Sequence, residues 1–311
     1  MSSQSTALKI LIVKPSSFGD IVQMLQVTEG IYHSAEKNNL HLNIHWVVRD
    51  CFADFLKISP FISKLLIFER NNGISGFFKL IKQIRQTKYD WVIDGQGLLR
   101  SGLMTFLSKA KYKVGRKDAR ECSRIFYQKT YEPQKTPAHA VEILQALFQP
   151  LNLKSVPQRP LTLNLNKWCF PFDKNAILLF PNSRGPKKEW PYFYELTNFL
   201  LEKTDKFCIW LGQNSPKNIP HHPRFINFIG KTKLSDLPLL IQNSACIIAN
   251  DSGPVHLAAA LNKPLVGIYG PTDRLRYGPY PTYQHAILQA PDNHLELLTV
   301  EEVAQAVFKQ L

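Results

Sequence analysis

The sequence is poor in acidic residues, in paired cysteines and in long apolar runs. Of its 311 residues, 24 are Asp or Glu and 38 are Lys or Arg, so the formal net charge is +14. Its five cysteines are scattered and form no CxxC pair (Cys51, Cys122, Cys169, Cys208 and Cys246). An odd, isolated set excludes a disulfide framework and favours reduced thiols in the cytoplasm.

No apolar run approaches the ~20 residues that cross a bilayer. Residues 1–6 carry no basic segment and no apolar stretch, so we expect no secretory signal. The length and the 44% apolar content are those of a globular chain of about two domains. The excess of positive charge permits three kinds of partner, namely nucleic acid, an anionic membrane surface or an acidic small molecule.

Short apolar runs alternate with amphipathic segments in both halves of the chain. Runs such as 9–14 and 91–94 predict strands, and segments such as 21–37 predict helices. This alternation predicts an α/β fold of βαβ units with parallel sheets. Three prolines within residues 149–160 indicate a linker, after which the alternation restarts. Ligands of open α/β sheets bind where strands end, so function is expected in the loops that follow strands.

The loop after the first predicted strand reads KPSSFGD over residues 14–20. Asp20 has two interpretations. A carboxylate in the first turn of a helix is favoured by the helix dipole. A carboxylate at the mouth of a cleft can also act as a general base. The spacing alone leaves both open.

The loop after the strand at 91–94 contains Gly95-Gln96-Gly97, the beginning of a dinucleotide-binding fingerprint. Arg100 occupies the third glycine position, so we do not expect a nicotinamide or flavin site. Gln96 and Arg100 are instead predicted to be polar contacts in the cleft.

Residues 109–135 form a basic stretch interleaved with aromatic side chains. The stretch is either a solvated surface loop or an anion-binding face. It has no zinc-finger spacing and no RNA-binding aromatic motif, which disfavours a nucleic acid as the partner.

Two loops in the second half have the composition of anion sites. The segment 180–191 places Ser183, Lys187 and Lys188 before a predicted helix, where phosphates bind, although an ordinary basic turn fits as well. It contains no Walker GK[ST]. The segment 250–260 reads NDSGPVHLAAA, and its helix start offers backbone amides to a diphosphate. His256 is either a donor to a phosphate or sugar hydroxyl, or a structural histidine.

Taken together, these loops resemble glycosyltransferase family 9, the ADP-heptose:lipopolysaccharide heptosyltransferases. The matching segments span nearly the whole chain: KPSSFGD (14–20), VIDGQGLLRS (92–101), DAREC (118–122), KKEWP (187–191), NDSGPVHLAAA (250–260) and YGPTD (269–273). VIDGQGLLRS and AHAVE (138–142) are closer to type I enzymes, which act on Kdo-lipid A, than to type II.

The resemblance implies the GT-B fold, with two Rossmann-like domains whose parallel sheets face each other across a cleft. We therefore expect an acceptor-binding domain at residues 1–155 and a nucleotide-sugar-binding domain at 156–298. A final helix at 299–311 is expected to pack back on the first domain. The resemblance also implies inverting transfer without a metal or other cofactor, ADP-heptose being a co-substrate. The absence of a DxD motif and of Cys/His ligand spacing agrees with this.

The resemblance also implies roles for individual residues. Asp20 matches the catalytic carboxylate that deprotonates the acceptor hydroxyl. The donor-binding positions are Ser183, Lys188, Asp251, Ser252, Gly253 and His256. The acceptor-binding positions are Arg120, by its match to the family, and the cleft residues Gln96 and Arg100. Lys187 remains an alternative to Lys188 for the diphosphate.

The expected partners are ADP-heptose, a Kdo-lipid A acceptor and the anionic inner face of the bacterial inner membrane, with no nucleic acid. The enzyme is expected to be cytoplasmic and peripherally bound to that membrane, where each nearby basic residue contributes ~1 kcal/mol. Three alternatives stay open: a GT-B transferase that uses another nucleotide sugar, a basic non-catalytic protein that binds membranes or nucleic acid, and a two-domain dehydrogenase.

Overall fold

The structure, a computed structural model, describes residues 7–134, 137–153, 160–165, 175–183, 185–214, 218–281 and 285–311. The chain divides into two compact units, residues 1–164 and 165–311. The division lies later than the boundary expected after residue 155, because the segment past the linker is bound to the first unit. There the backbone N–H of Thr162 donates to the buried carboxylate of Glu29 at 3.1 Å, and that of Asn164 donates to the carbonyl of Ile58 at 2.7 Å. Much of the predicted linker, residues 154–159, lies outside the described residues.

The first unit is a parallel sheet of six strands with helices between them. The strands are β1 (Leu8–Val13), β2 (Leu42–Arg49), β3 (Lys64–Phe68), β4 (Tyr89–Asp94), β5 (Ala110–Arg116) and β6 (Lys129–Tyr131), and the helices are α1 (Phe18–Lys37), α2 (Asp50–Lys57), α3 (Gly73–Ile84), α4 (Leu99–Leu107) and α5 (Ala140–Ala146). The strand order is β3-β2-β1-β4-β5-β6, and every pairing is parallel.

The second unit repeats this arrangement. Its strands are β7 (Ala176–Phe180), β8 (Phe207–Trp210), β9 (Phe225–Asn227), β10 (Cys246–Asn250), β11 (Leu265–Tyr269) and β12 (Ala286–Gln289), and its helices are α6 (Phe193–Lys203), α7 (Leu237–Gln242), α8 (Gly253–Ala260), α9 (Arg274–Tyr277) and α10 (Val300–Phe308). The order is β12-β11-β10-β7-β8-β9, again with parallel pairings. The predicted α/β class and its two Rossmann-like sheets are confirmed.

The central strands are buried on both faces, which explains why they read as continuous apolar runs. In β1, Leu11 and Val13 are fully buried, and in β10 the same holds for Ile247 and Ile248. Helices α3 and α4 pack on one face of the first sheet, where Leu80 and Met104 join the same core.

Each sheet has one point where the chain reverses its direction of winding. The first strand of each unit lies between the second and the fourth, so β1 separates β2 from β4, and β7 separates β8 from β10. The loops after β1 and β4 diverge at this point and open a crevice, as do the loops after β7 and β10. All the loops that the sequence singled out after strands 1, 4, 7 and 10 lie at these two crevices.

The final helix packs in the core of the second unit, and the expected packing of residues 299–311 on the first domain stays a prediction. Val303 and Val307 of α10 are fully buried in the core of the second unit, together with α6 and β11. The indole N–H of Trp190 also donates to the carbonyl of Leu298 at 2.9 Å and fixes the chain just before this helix. The apolar side of α10 is thus buried in the core of the second unit. Among the described residues, no helix is both long enough and apolar enough to cross a membrane.

Candidate functional site

The carboxylate of Asp20 closes the turn between β1 and α1. Asp20 is the third residue of α1, and its Oδ2 accepts the backbone N–H of Ser17 at 3.1 Å and the Ser17 hydroxyl at 2.5 Å. A carboxylate at this position satisfies donors that the first helical turn leaves open. The structural interpretation of Asp20 is therefore correct, and it accounts for one of the two carboxylate oxygens.

That second oxygen faces a buried cation. The ammonium of Lys14 donates to Asp20 Oδ1 at 3.3 Å, and Lys14 is only 1% exposed while the side chain of Asp20 is 42% exposed. Burial alone would raise the pKa of Asp20, but the charge of Lys14 and the two Ser17 hydrogen bonds outweigh it and lower the pKa to about 2. Burial lowers the pKa of Lys14, although the charge of Asp20 opposes this. Asp20 is therefore ionised at neutral pH and accessible.

The loop after β4 is held by its own buried carboxylate. Asp94 Oδ1 accepts the backbone N–H groups of Gln96 at 2.8 Å and Gly97 at 3.0 Å, and Oδ2 accepts the hydroxyl of Tyr127 at 2.7 Å. Gly97 has a φ of +70°, which suits glycine. The Gly-Gln-Gly segment is thus a carboxylate-stabilised turn. Burial raises the pKa of Asp94, which its hydrogen bonds partly oppose.

The loops after β1 and β4 meet through Gln96. Its side-chain carbonyl accepts the backbone N–H of Ser16 at 3.3 Å. A cleft of about 560 Å³ begins here and extends between the first turns of α3 and α4. Its lining includes three cations, Arg49, Arg70 and Arg100.

The predicted acceptor residues lie in or beside this cleft. Gln96 and Arg100 both line it, and the Arg100 guanidinium lies 5.7 Å from the ring centre of Phe68. The backbone N–H of Arg120 donates to the carbonyl of Gly97 at 2.9 Å, which places the exposed Arg120 next to the same loop. Two further cations, Arg49 and Arg70, also line the cleft, although the sequence did not single them out.

Part of the basic stretch at 109–135 is neutralised within itself. Arg116 makes two hydrogen bonds of 2.8 Å to the carboxylate of Asp118, and Lys117 contacts Glu132 at 2.5 Å. The stretch is therefore less cationic than its composition suggests. Lys135 lies outside the described residues.

In the second unit, Asp251 contacts residues from two other loops. Its Oδ2 accepts the ammonium of Lys188 at 2.5 Å and the hydroxyl of Thr272 at 2.6 Å. The hydroxyl of Ser183 donates to the backbone carbonyl of Asp251 at 3.1 Å. Three predicted donor residues thus form one cluster, and Thr272, which the YGPTD motif contains, joins them. Lys187 is exposed in the same short helical turn, and the contact with Asp251 favours Lys188.

Asn250, to which the sequence analysis assigned no role of its own, anchors this cluster. Its fully buried side chain accepts the backbone N–H of Trp190 at 3.0 Å and donates to the carbonyl of Pro181 at 2.8 Å. Both ends of the loop that carries Ser183 and Lys188 are thereby attached to β10. Arg184, in the same loop, lies outside the described residues.

Helix α8 begins beside the Asp251 cluster. Ser252 is its N-cap, and the Ser252 hydroxyl donates to the carbonyl of Asn250 at 3.0 Å instead of capping the helix. Gly253 is the first helical residue, and His256 lies one turn further on, half-buried. The predicted positions 251, 252, 253 and 256 therefore share one helix start, the type of site at which diphosphates bind. Across the described residues, no group of three or more His, Cys, Asp or Glu side chains is placed to hold a metal ion.

Two Rossmann-like units with charged loops at both switch points are the architecture of the GT-B class. The profile of "Glycosyltransferase family 9 (heptosyltransferase)" matches residues 77–305, and the chain belongs to this family. It is therefore a glycosyltransferase. Curated relatives agree: lipopolysaccharide heptosyltransferase 1 of Campylobacter coli is 28% identical, covering 86% of each chain, and that of Escherichia coli O18:K1:H7 (strain RS218 / NMEC) is 27% identical, covering 96% of this chain and 97% of its own.

Solved structures share the fold. The chain is similar to E. coli heptosyltransferase WaaC with ADP, with a TM-score of 0.80 at 22% identity over 98% of this chain and 100% of that one. A glycosyl transferase of family 9 from Veillonella parvula DSM 2008 gives a TM-score of 0.83 at 19% identity, covering 99% of both chains. The expected GT-B fold is thereby confirmed.

Proposed function

We propose that this enzyme is an inverting heptosyltransferase that moves heptose from ADP-heptose to the Kdo of a lipid A-linked inner core. Two relatives carry the name lipopolysaccharide heptosyltransferase 1, and similar structures were solved with ADP and with ADP-2-deoxy-2-fluoro heptose. The observation that carries the proposed chemistry is the ionised, partly exposed carboxylate of Asp20 at the first switch point.

The second unit is proposed to bind the nucleotide sugar. A diphosphate at the start of α8 would receive the backbone amides of the first turn and the ammonium of Lys188. Lys188 already lies within contact of Asp251, so the carboxylate holds the ammonium beside the helix start. Ser183 and His256 add hydrogen-bond donors to the same site. Asp251 is assigned to heptose or ribose hydroxyls, from which its carboxylate can accept hydrogen bonds.

The proposed reaction is a single displacement at C1 of heptose. The acceptor hydroxyl oxygen attacks C1 from the face opposite ADP, the bond between C1 and the diphosphate oxygen breaks, and the configuration inverts. ADP leaves with the bonding electron pair, and Lys188 and the helix amides stabilise the added negative charge. Asp20 receives the hydroxyl proton. Because its pKa is about 2, Asp20 takes up this proton late, after the attacking oxygen has gained positive charge.

The acceptor is proposed to enter the cleft of the first unit. The lining cations Arg49, Arg70 and Arg100 suit the carboxylates and phosphates of a Kdo-lipid A headgroup, because guanidinium groups bind such oxyanions in pairs of hydrogen bonds. Gln96 and Arg120 are assigned to the same acceptor. An acceptor of this kind places the enzyme in the cytoplasm, at the inner face of the inner membrane.

The experiment is a measurement of ADP release by the purified chain from ADP-heptose, with and without Kdo-lipid A. We expect release to depend on both substrates, and a heptosylated lipid to form. Other nucleotide sugars serve as matched donors. Faster transfer from another donor would replace heptose in the proposal. Salt-sensitive binding of nucleic acid or vesicles without any ADP release would indicate a non-catalytic protein instead.

A further inference from the structure

We propose that the outer surface of α3 and α4 docks the enzyme on an anionic phospholipid bilayer. This docking face consists of Ile74, Phe78 and Lys82 of α3, Leu99 and Phe106 of α4, and Ile125 in the short helical turn Ser123–Phe126. The inference rests on the proposed function for its biological setting, but its evidence is independent of the reaction.

The docking face exposes large apolar side chains that the fold leaves outside its core. Ile74 is 77% exposed, Phe78 is 63% exposed and Ile125 is 75% exposed. Ile74 and Phe78 are four residues apart on α3 and therefore lie on the same side of the helix. A cluster of exposed apolar side chains marks an interaction site.

Helices α3 and α4 lie side by side, so their exposed residues form one surface. Both helices pack on the same core cluster of the first unit, and the guanidinium of Arg85, which follows α3, donates to the carbonyl of Leu107 at 2.8 Å. The helical turn at 123–126 continues the surface beyond α4, since the rings of Phe106 and Phe126 are 5.7 Å apart. In α3, α4 and the turn at 123–126, the side chains that face away from the shared core therefore lie on the same side of the sheet.

The charges beside these apolar groups are mainly positive. Lys79 and Lys82 flank Phe78 on α3, and the ammonium of Lys113 lies 5.5 Å from the ring centre of Phe106. Two acidic side chains contact this set: Glu69 pairs with Lys79 at 3.1 Å, and the carboxylate of Glu121 accepts the backbone N–H of Leu99 at 3.0 Å. Apolar side chains with lysines alongside are the composition of helices that lie in the interface of anionic membranes. The charge complementarity selects an anionic bilayer over an apolar protein partner.

The docking face also forms the rim of the acceptor cleft. Ile74 and Leu99 are both exposed and both line that cleft, whereas Gln96 and Arg100 lie on its polar part. A bilayer against this face would meet the mouth of the cleft. A lipid-anchored headgroup could then reach Gln96 and Arg100 while its acyl chains stay in the membrane.

The test is flotation of the full-length protein with vesicles of phosphatidylethanolamine and phosphatidylglycerol, compared with phosphatidylcholine vesicles. We expect binding to the anionic vesicles that weakens with salt. The double variant Phe78→Ser/Ile125→Ser should lower the partition coefficient at least about tenfold, because it removes two of the most exposed apolar side chains of the docking face, neither of which lines the acceptor cleft. The control Leu297→Ser/Leu311→Ser removes two exposed apolar residues of the second unit, 50% and 46% exposed, and should change binding less than about twofold.

A second measurement separates docking from catalysis and from folding. Thermal unfolding of the variants should match the parent, and transfer to a soluble, deacylated Kdo acceptor should be unchanged, while transfer to the same headgroup in vesicles falls with binding. Unaltered vesicle binding by Phe78→Ser/Ile125→Ser would overturn the proposal, as would equal binding to phosphatidylcholine.

Two further outcomes are informative. A dimer that the same double variant dissociates, without vesicle binding by the parent, would assign the face to a second copy of the chain and overturn the proposal. Vesicle binding without any heptose transfer would contradict the proposed function and leave the docking face supported.

Discussion

The buried ammonium of Lys14 lies 3.3 Å from Oδ1 of Asp20, and the other oxygen of the same carboxylate is bound by Ser17. Through these contacts, Asp20 has two roles. The carboxylate closes the first turn of α1, and it is kept ionised and oriented at the switch point of the first sheet. The helix start and the proposed base are therefore the same structural unit.

Replacing Asp20 by Asn tests the proposed base. The amide is similar in size and retains an oxygen that can accept the Ser17 N–H, so the fold should persist. It cannot accept a proton, and turnover should fall ~10²–10⁴-fold. The measurement is ADP release in the presence of acceptor, with unfolding followed in parallel. Asp54→Asn, on the exposed surface of α2, is the control. Near-normal turnover by a folded Asp20→Asn enzyme would remove Asp20 from the mechanism.

Replacing Lys14 by Met should shift the acid side of the pH profile upward. The pKa of Asp20 is about 2 because the charge of Lys14 and the Ser17 hydrogen bonds outweigh burial. In the parent enzyme kcat/KM should therefore stay level as pH falls towards 4. Without the Lys14 charge, burial acts with less opposition and the pKa of Asp20 rises. Activity of Lys14→Met should then decline at a pH where the parent is still fully active.

The control for this prediction is Lys57→Met, which removes an exposed ammonium from α2. Its pH profile should match that of the parent. If Lys14→Met lowers kcat/KM equally at every pH, Lys14 serves the packing of the loop and not the ionisation of Asp20.

The neighbouring lysines Lys187 and Lys188 form a matched pair. Of these two lysines, Lys188 contacts Asp251 at 2.5 Å, whereas Lys187 is exposed. Lys188→Gln should weaken ADP binding roughly 10- to 100-fold, the range expected for the loss of a hydrogen bond from a charged group. Lys187→Gln should leave binding within about twofold, since exposed single charges contribute little. Titration calorimetry with ADP measures both, and the reverse order would reassign the diphosphate contact to Lys187.

Asn250→Ala should lower the free energy of unfolding by about 2–4 kcal/mol, because it leaves the N–H of Trp190 and the carbonyl of Pro181 buried without their partner. Denaturant unfolding provides the measurement. We also expect weaker ADP binding, since both ends of the loop with Ser183 and Lys188 lose their attachment. A change below about 0.5 kcal/mol, the size typical of surface substitutions, would show that the loop is held by other contacts.

The sequence predicted the sheets well because their central strands are buried on both faces. The short edge strands β6 and β12 were missed, since their residues are only partly buried and carry no clear apolar alternation. Helix α2 was missed as well, because it begins at Asp50 directly after β2, without the turn residues that usually mark such a boundary.

The sequence predicted those site residues that lie together in one loop after a strand. It did not predict residues that reach the site from other segments of the chain. Asp20, Ser183 and Asp251 each follow a strand at a switch point, which the alternation of strands and helices indicates. Lys14 was not assigned a role, because a lysine at the end of an apolar strand looks like a surface residue until its burial beside Asp20 is known. Arg49 and Thr272 reach their sites only through tertiary contacts between segments distant in sequence.

The shared strand order of the two sheets makes the chain modular. Each unit has its own core and its own pair of loops at a reversal of winding, so substitutions in one pair need not disturb the packing that supports the other. With the acceptor bound by the first unit and the donor by the second, as proposed, donor and acceptor preference can diverge separately within such a lineage. On this proposal, a hybrid that joins residues 1–164 to the second unit of a relative would inherit its sugar donor from one parent and its acceptor from the other.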